Sequence, residues 1–114
     1  MPHFIIDCSE NVTDLKSPEK IMQEVHDAAE VAALFDQGDI KVRIKPFKHY
    51  NIGNTKNDFI HIFANIMEGR TVEQKSKLSI SIVSALKSMF PHVPIISMNI
   101  RDFEKDSYRN KSMV

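Results

Sequence analysis

Residues 59–75 read Phe59-Ile60-His61-Ile62-Phe63-Ala64-Asn65-Ile66-Met67-Glu68-Gly69-Arg70-Thr71-Val72-Glu73-Gln74-Lys75. Phe59 to Met67 is a long β-prone run that sets Ile60, Ile62, Ala64 and Ile66 on one face of a strand. Gly69-Arg70 turns the chain. Thr71, with Gln74 three residues on, fits a capping box, in which the two side chains satisfy each other's orphan backbone N–H groups at a helix start. Leu78, Ile82, Leu86 and Met89 then recur at helical spacing. Pro91 and Pro94 bracket the exit, and Ile95 to Ile100 makes another strand. Strand, helix and strand together form a β-α-β unit.

The first half of the chain has the same plan. His3-Phe4-Ile5-Ile6-Asp7-Cys8 is a short strand that begins at the second residue, and Ser9-Glu10-Asn11 supplies turn residues. Ser17 is placed as an N-cap, with Pro18 at the first helical position and Glu19 in the first turn. Ile21, Val25, Ala28, Ala32 and Phe35 form one apolar stripe, and Gly38 is a natural stop. Ile40-Lys41-Val42-Arg43-Ile44-Lys45 alternates strictly, with apolar residues on one face and cations on the other. Pro46 should end that strand, and Asn51-Ile52-Gly53-Asn54 reads as loop. From Asp102 the chain is polar, with Phe103 and Tyr108 as apolar anchors.

Two β-α-β units predict an α+β fold, a four-stranded sheet with two helices on one face. At 114 residues the whole chain, 1–114, is expected to be one domain. The strands are apolar on both sides: Phe4, Ile6 and Cys8 oppose Ile5, and Phe59 and Phe63 oppose Ile60 and Ile62. Helices cover one face only, so self-association is the economical cover for the other.

Lys+Arg and Asp+Glu each total 15, which gives no charge-based case for nucleic acid or an acidic membrane as partner. The single cysteine, Cys8, excludes an internal disulfide framework, and its apolar strand setting predicts a buried, inert thiol. The five histidines, His3, His26, His49, His61 and His92, show no close metal-type pairing, so no metal is expected. There is no secretory-type leader and no run of about 18 apolar residues. A soluble, cytoplasmic protein without cofactor is expected.

The chemistry centres on Pro2. Removal of Met1 would leave proline's secondary amine as the N-terminus, fixed by the strand it leads into. An α-amine titrates at about 7.7–8.0 in the open, and both burial and nearby cations lower that value by penalising the charged form. Lys41, Arg43 and Lys45 share one strand face and Arg70 sits at the strand-to-helix turn. The same cations could hold a carboxylate and stabilise developing enolate charge. The plainer reading of the lysine–arginine row is a solvated or charge-protected sheet edge. For Arg70 it is a surface turn residue, although a cation beside a helix start opposes the helix dipole.

Met1-Pro2-His3-Phe4-Ile5-Ile6-Asp7-Cys8-Ser9-Glu10-Asn11 closely resembles the opening of 5-carboxymethyl-2-hydroxymuconate isomerases. Gly69-Arg70-Thr71-Val72-Glu73-Gln74-Lys75 is similar to the Gly-Arg-Thr-x-Glu-Gln-Lys segment of 4-oxalocrotonate tautomerases. Both are groups of the tautomerase superfamily. The resemblance implies a mixed four-stranded sheet and a homotrimer with sheet faces packed together. It also implies a small-molecule dicarboxylate as partner. Pro2 would then be the catalytic base, moving a proton between carbons of an unsaturated 2-hydroxy or 2-oxo dicarboxylate. The 5-carboxymethyl-2-hydroxymuconate type met in aromatic catabolism is the implied example, with Arg70 binding a carboxylate. Family members place an arginine in the strand after the first helix. Lys41 falls at that position, with Arg43 two residues on and on the same face, and lysine keeps the charge while losing the bidentate fork.

The alternative is a catalytically silent trimeric binding or interaction protein of the same fold, which a retained Met1 would favour. Other chemistry on the same base, hydrolytic dehalogenation or decarboxylation, ranks lower because the sequence assigns no extra carboxylate to activate water.

Overall fold

The computed structural model describes all 114 residues. The strands are β1 (His3–Ser9), β2 (Lys41–Phe47), β3 (Phe59–Met67) and β4 (Ile95–Phe103), and the helices are α1 (Glu10–Leu15), α2 (Pro18–Val31) and α3 (Val72–Met89). The sheet runs β2-β1-β3-β4. β1 pairs parallel with β2 and β3 pairs parallel with β4, while β1 and β3 meet antiparallel at the centre. Each parallel pair belongs to one β-α-β unit, so the mixed sheet predicted from the sequence is present.

Alternation decides what each strand buries. Phe4, Ile6 and Cys8 of β1 and Ile60, Ile62 and Ala64 of β3 are buried against Ile21, Val25 and Ala29 of α2 and Leu78, Ile82 and Leu86 of α3. Removing one large side chain here, as in Leu86→Ala, costs about 2–5 kcal/mol by the lost transfer energy and the cavity left behind. The opposite face carries no helix. Register sets Lys41, His3, Asn65 and Arg101 in one row across it. The next row is Arg43, Ile5, Phe63 and Asn99. Half-buried Ile5 and Phe63 therefore lie among polar neighbours, while half-buried Phe59 meets the Phe47 and Tyr50 rings, and this face is less apolar than β1 and β3 read alone suggest.

Four local expectations change. Ser9-Glu10-Asn11 starts helix α1 instead of forming a turn. Buried Ser9 leaves that helix uncapped, because its hydroxyl donates to Asp58 at 2.8 Å and accepts from the Phe59 N–H at 3.2 Å. Helix α2 stops at Val31, short of Gly38, because Ala33 turns into the left-handed region at φ 57°. Strand β2 continues through Pro46, which is tolerated because β2 is an edge strand and the missing N–H disrupts no central ladder. Strand β4 runs on to Phe103, paired with Met67. The Ser17 and Thr71 caps form as predicted, the latter with both capping-box hydrogen bonds.

Candidate active site

Pro2 sits where the parallel β1–β2 ladder begins. The Lys41 N–H donates to its carbonyl at 3.1 Å, and its side chain is fully buried. The residue is therefore fixed by the sheet. It forms part of the wall of a cavity of about 370 Å³, shared with Leu34, Phe35, Asp36, Asp39 and Arg70. Met1 also lines this cavity. Its amine lies 3.8 Å from Asp39 Oδ2, and its sulfur accepts a hydrogen bond from the Tyr108 hydroxyl at 2.8 Å.

Arg70 reaches the cavity because Gly69 takes φ 110°, a backbone conformation that a side chain at that position would strain. From the end of the β3–α3 turn, Arg70 Nη2 donates to the Leu34 carbonyl at 2.6 Å. Its guanidinium carbon stands 5.9 Å from the centre of the Phe35 ring. Phe35 in turn meets Phe4 edge-on, with ring centres 6.1 Å apart. The Arg70 Nε–H is buried and has no partner. An unpaired buried donor is costly, and this one is closed to a ligand oxygen unless the Arg70 side chain shifts.

Burial favours a neutral amine at this end of β1. The Met1 amine is held below its ordinary value of 8.0, chiefly by desolvation, with Lys41 and Arg70 adding to the effect and Asp39 and Asp36 opposing it. His3 is likewise pushed below its ordinary 6.5 by burial first, then by Arg43 and Lys41. A neutral His3 can accept a hydrogen bond, and Arg43 Nη1 lies 3.1 Å from its Nδ1.

Of the residues singled out from the sequence, Pro2 and Arg70 share the cavity wall. Lys41 stands next to it, with its ammonium on the Asp39 carbonyl at 2.8 Å. Arg43 projects onto the open sheet face against His3, and Lys45 lies 5.3 Å over the Phe47 ring. Cys8 is buried, and burial with the nearby Asp7 and Asp58 carboxylates pushes its thiol up to about 11, so it is inert near neutrality. His61 bridges Ser97 and Asn99, each at 2.7 Å. His26 does approach Asp27 and Glu30 within 4.8 Å, on the surface of α2, where charged side chains at helical spacing meet routinely. No helix is long and apolar enough to cross a membrane.

Sequence reasoning missed Leu34, Asp36 and Asp39, and gave Phe35 to the helix. Helical spacing fits Ala32 and Phe35 as well as the true end does, and alanine gives no warning of a left-handed residue at position 33. Asp36 and Asp39 are carboxylates of the cavity wall that the sequence did not single out. Tyr108 was an anchor without a partner until the fold brought Met1 to it.

Comparison with known proteins identifies the family and the fold. The chain is 22% identical over 92 residues to a 5-carboxymethyl-2-hydroxymuconate Delta-isomerase of Escherichia coli, covering 79% of this chain and 73% of that protein. The crystal structure of a 5-carboxymethyl-2-hydroxymuconate delta-isomerase superposes with a TM-score of 0.84 at 17% identity, over 97% of this chain and 87% of that one. A fused 4-OT protein that forms a symmetric trimer superposes with a TM-score of 0.81 at 13% identity, over 98% and 94% of the two chains. At these identities the structural likeness is one of fold. The family model for 5-carboxymethyl-2-hydroxymuconate isomerase matches residues 2–113, nearly the whole chain, and the protein belongs to that isomerase family.

Proposed function

We propose that the protein moves a proton along an unsaturated 2-hydroxy or 2-oxo dicarboxylate, with the secondary amine of Pro2, freed by removal of Met1, as the base. The observation that carries this reading is that a fully buried Pro2 and the Arg70 guanidinium share one cavity wall. The Met1 amine is already held low by burial. The Pro2 nitrogen, once freed, carries a buried pyrrolidine ring and lies near Lys41 and Arg70, and burial and cations both favour the neutral form a base requires.

In this mechanism the neutral amine takes a proton from the substrate and becomes an ammonium. The electron pair left behind spreads as a dienolate over the C2 oxygen and alternate carbons of the conjugated chain. Arg70 stabilises that charge with its guanidinium donors. The ammonium then returns the proton to a carbon further along the conjugated chain. Proton and charge balance without a cofactor. Lys41, on the carbonyl of the lining residue Asp39, adds positive potential beside the cavity for a second carboxylate, while Arg43 lies against His3 on the helix-free sheet face.

The same reading makes the active unit a homotrimer that buries the helix-free sheet face. Support comes from the fold shared with a symmetric trimer and from the half-buried Ile5, Phe59 and Phe63 on that face. A monomer on gel filtration would contradict it.

The test has two parts. Mass spectrometry of the native protein should find Met1 removed. Ketonisation of a dienol dicarboxylate should then be lost when the proline amine is alkylated by an electrophilic 2-oxo acid. Full activity after complete alkylation, or a native protein that keeps Met1, would overturn the assignment and favour a silent binding protein of the same fold.

A further inference from the structure

The segment after β4 turns back toward the start of the chain. Glu68, next to the Gly69-Arg70 turn, accepts a hydrogen bond from the Lys105 N–H at 2.5 Å, and its own N–H donates to the Phe103 carbonyl at 3.2 Å. The Tyr108 N–H donates to the Glu104 carbonyl at 3.1 Å and closes the turn. Phe103 stacks on Tyr108, ring centres 5.6 Å apart, and meets His3 edge-on at 5.9 Å. The phenol is thus held from both ends, and its hydroxyl lies 2.8 Å from the Met1 sulfur. A thioether is a weak acceptor, so a preorganised, half-buried donor is spent on a poor partner.

We infer that Tyr108 is a substrate-contact residue of the Pro2 site, its hydroxyl donating to a substrate oxygen. The inference rests on the proposed removal of Met1. Met1 is bonded to the Pro2 nitrogen through its carbonyl carbon and carries its sulfur to the Tyr108 hydroxyl, so the residue fills the path between the two. A substrate approaching the freed amine must enter that space, and its polar atom meets the phenol where the sulfur had been. Arg70 lies in the wall beside Leu34 and Phe35, whereas Tyr108 comes from the segment after β4. The two donors therefore approach the amine from different elements, as a substrate with an oxygen function at each end requires.

The experiment uses the full chain after mass spectrometry has verified loss of Met1. Tyr108→Phe keeps the ring on Phe103 and removes only the hydroxyl, so Tm should be unchanged. Two readouts are taken: calorimetric binding of 2-oxoadipate, an unreactive 2-oxo dicarboxylate, and kcat/KM for ketonisation of a dienol dicarboxylate. Both should weaken about tenfold, the usual effect of losing one such hydrogen bond. The pH at which the amine deprotonates should stay where it is in the parent. Binding within twofold of the parent would overturn the role of Tyr108, whatever the activity shows. Parent activity that survives amine alkylation would instead sink the base assignment. A native protein that retains Met1 would overturn both, leaving Tyr108 as a clasp on that residue.

Discussion

The Leu34 carbonyl accepts a 2.6 Å hydrogen bond from Arg70 Nη2, so the residue that ends the β3–α3 turn also fixes the loop after α2. One guanidinium nitrogen holds the cavity wall in place while the buried Nε–H stays free. Binding and scaffolding are therefore joined in one side chain.

That joint role predicts how Arg70 variants divide. Arg70→Ala removes both the donor fork and the loop tether, and kcat/KM for a dicarboxylate substrate should fall by about 100-fold or more, on the order of 3 kcal/mol. Arg70→Lys keeps the charge, loses the fork, and should recover only part of that loss. Steady-state kinetics on both variants, with Tm as a control for the loop, make the check. Kinetics of Arg70→Ala equal to the parent would remove the residue from the site.

Asp39 and Lys41 should move the base in opposite directions. Asp39 raises the amine pKa at the head of β1 and Lys41 lowers it. Asp39→Asn should therefore shift the rise of kcat/KM with pH to lower pH, because an amine that has lost a nearby carboxylate gives up its proton more readily. Lys41→Ala should shift the rise to higher pH. Both shifts should shrink as salt screens these partly exposed charges. Two variants moving in the same direction would show that the profile reports some other group.

The fold was legible where local chemistry and hydrophobic period agree. The Thr71/Gln74 capping box, the Ser17–Pro18 helix start and the alternation of β3 each specify one structure, and each formed. Pro2 and Arg70 could be picked out because a proline at a strand head and an arginine at a helix start are both locally odd. The rest of the site depends on long-range placement. Leu34, Phe35, Asp36 and Asp39 reach the cavity only because α2 ends at an alanine, and Tyr108 meets the Met1 sulfur only because Glu68 holds the segment after β4 back toward the start of the chain. Arg43 and Lys41 are two residues apart on one strand face, yet one faces His3 and the other Asp39, a division that alternation cannot foresee.

The end of α2 offers a stability test. Ala33 sits at φ 57°, where an L side chain crowds its own backbone, and it is exposed, so its methyl group contributes no core packing. Helices commonly end on a glycine in this conformation. Ala33→Gly relieves the crowding while adding freedom to the unfolded chain, for a net gain of about 0.5–1 kcal/mol. Thermal unfolding should show a Tm a few degrees higher. A lower Tm would mean that the methyl group supports the cavity wall.

His3 predicts how stability responds to acid. Its imidazole is held below 6.5 by burial, then by Arg43 and Lys41. The unfolded chain therefore binds this proton at a higher pH than the folded one. Between about 6.5 and the lower folded value the unfolded state carries more protons, so stability rises with pH and falls as pH drops through that window. Protonation also turns Nδ1 from acceptor into donor, which sets it against Arg43 Nη1 at 3.1 Å and loosens the row that Phe103 packs against. His3→Gln retains an acceptor that does not titrate and should flatten the loss of stability just below pH 6.5. Urea unfolding of parent and variant at pH 7.5, 6.5 and 5.5 gives the comparison. Equal slopes for the two proteins would place the acid sensitivity elsewhere, because His3 is the histidine whose folded environment resists the charge.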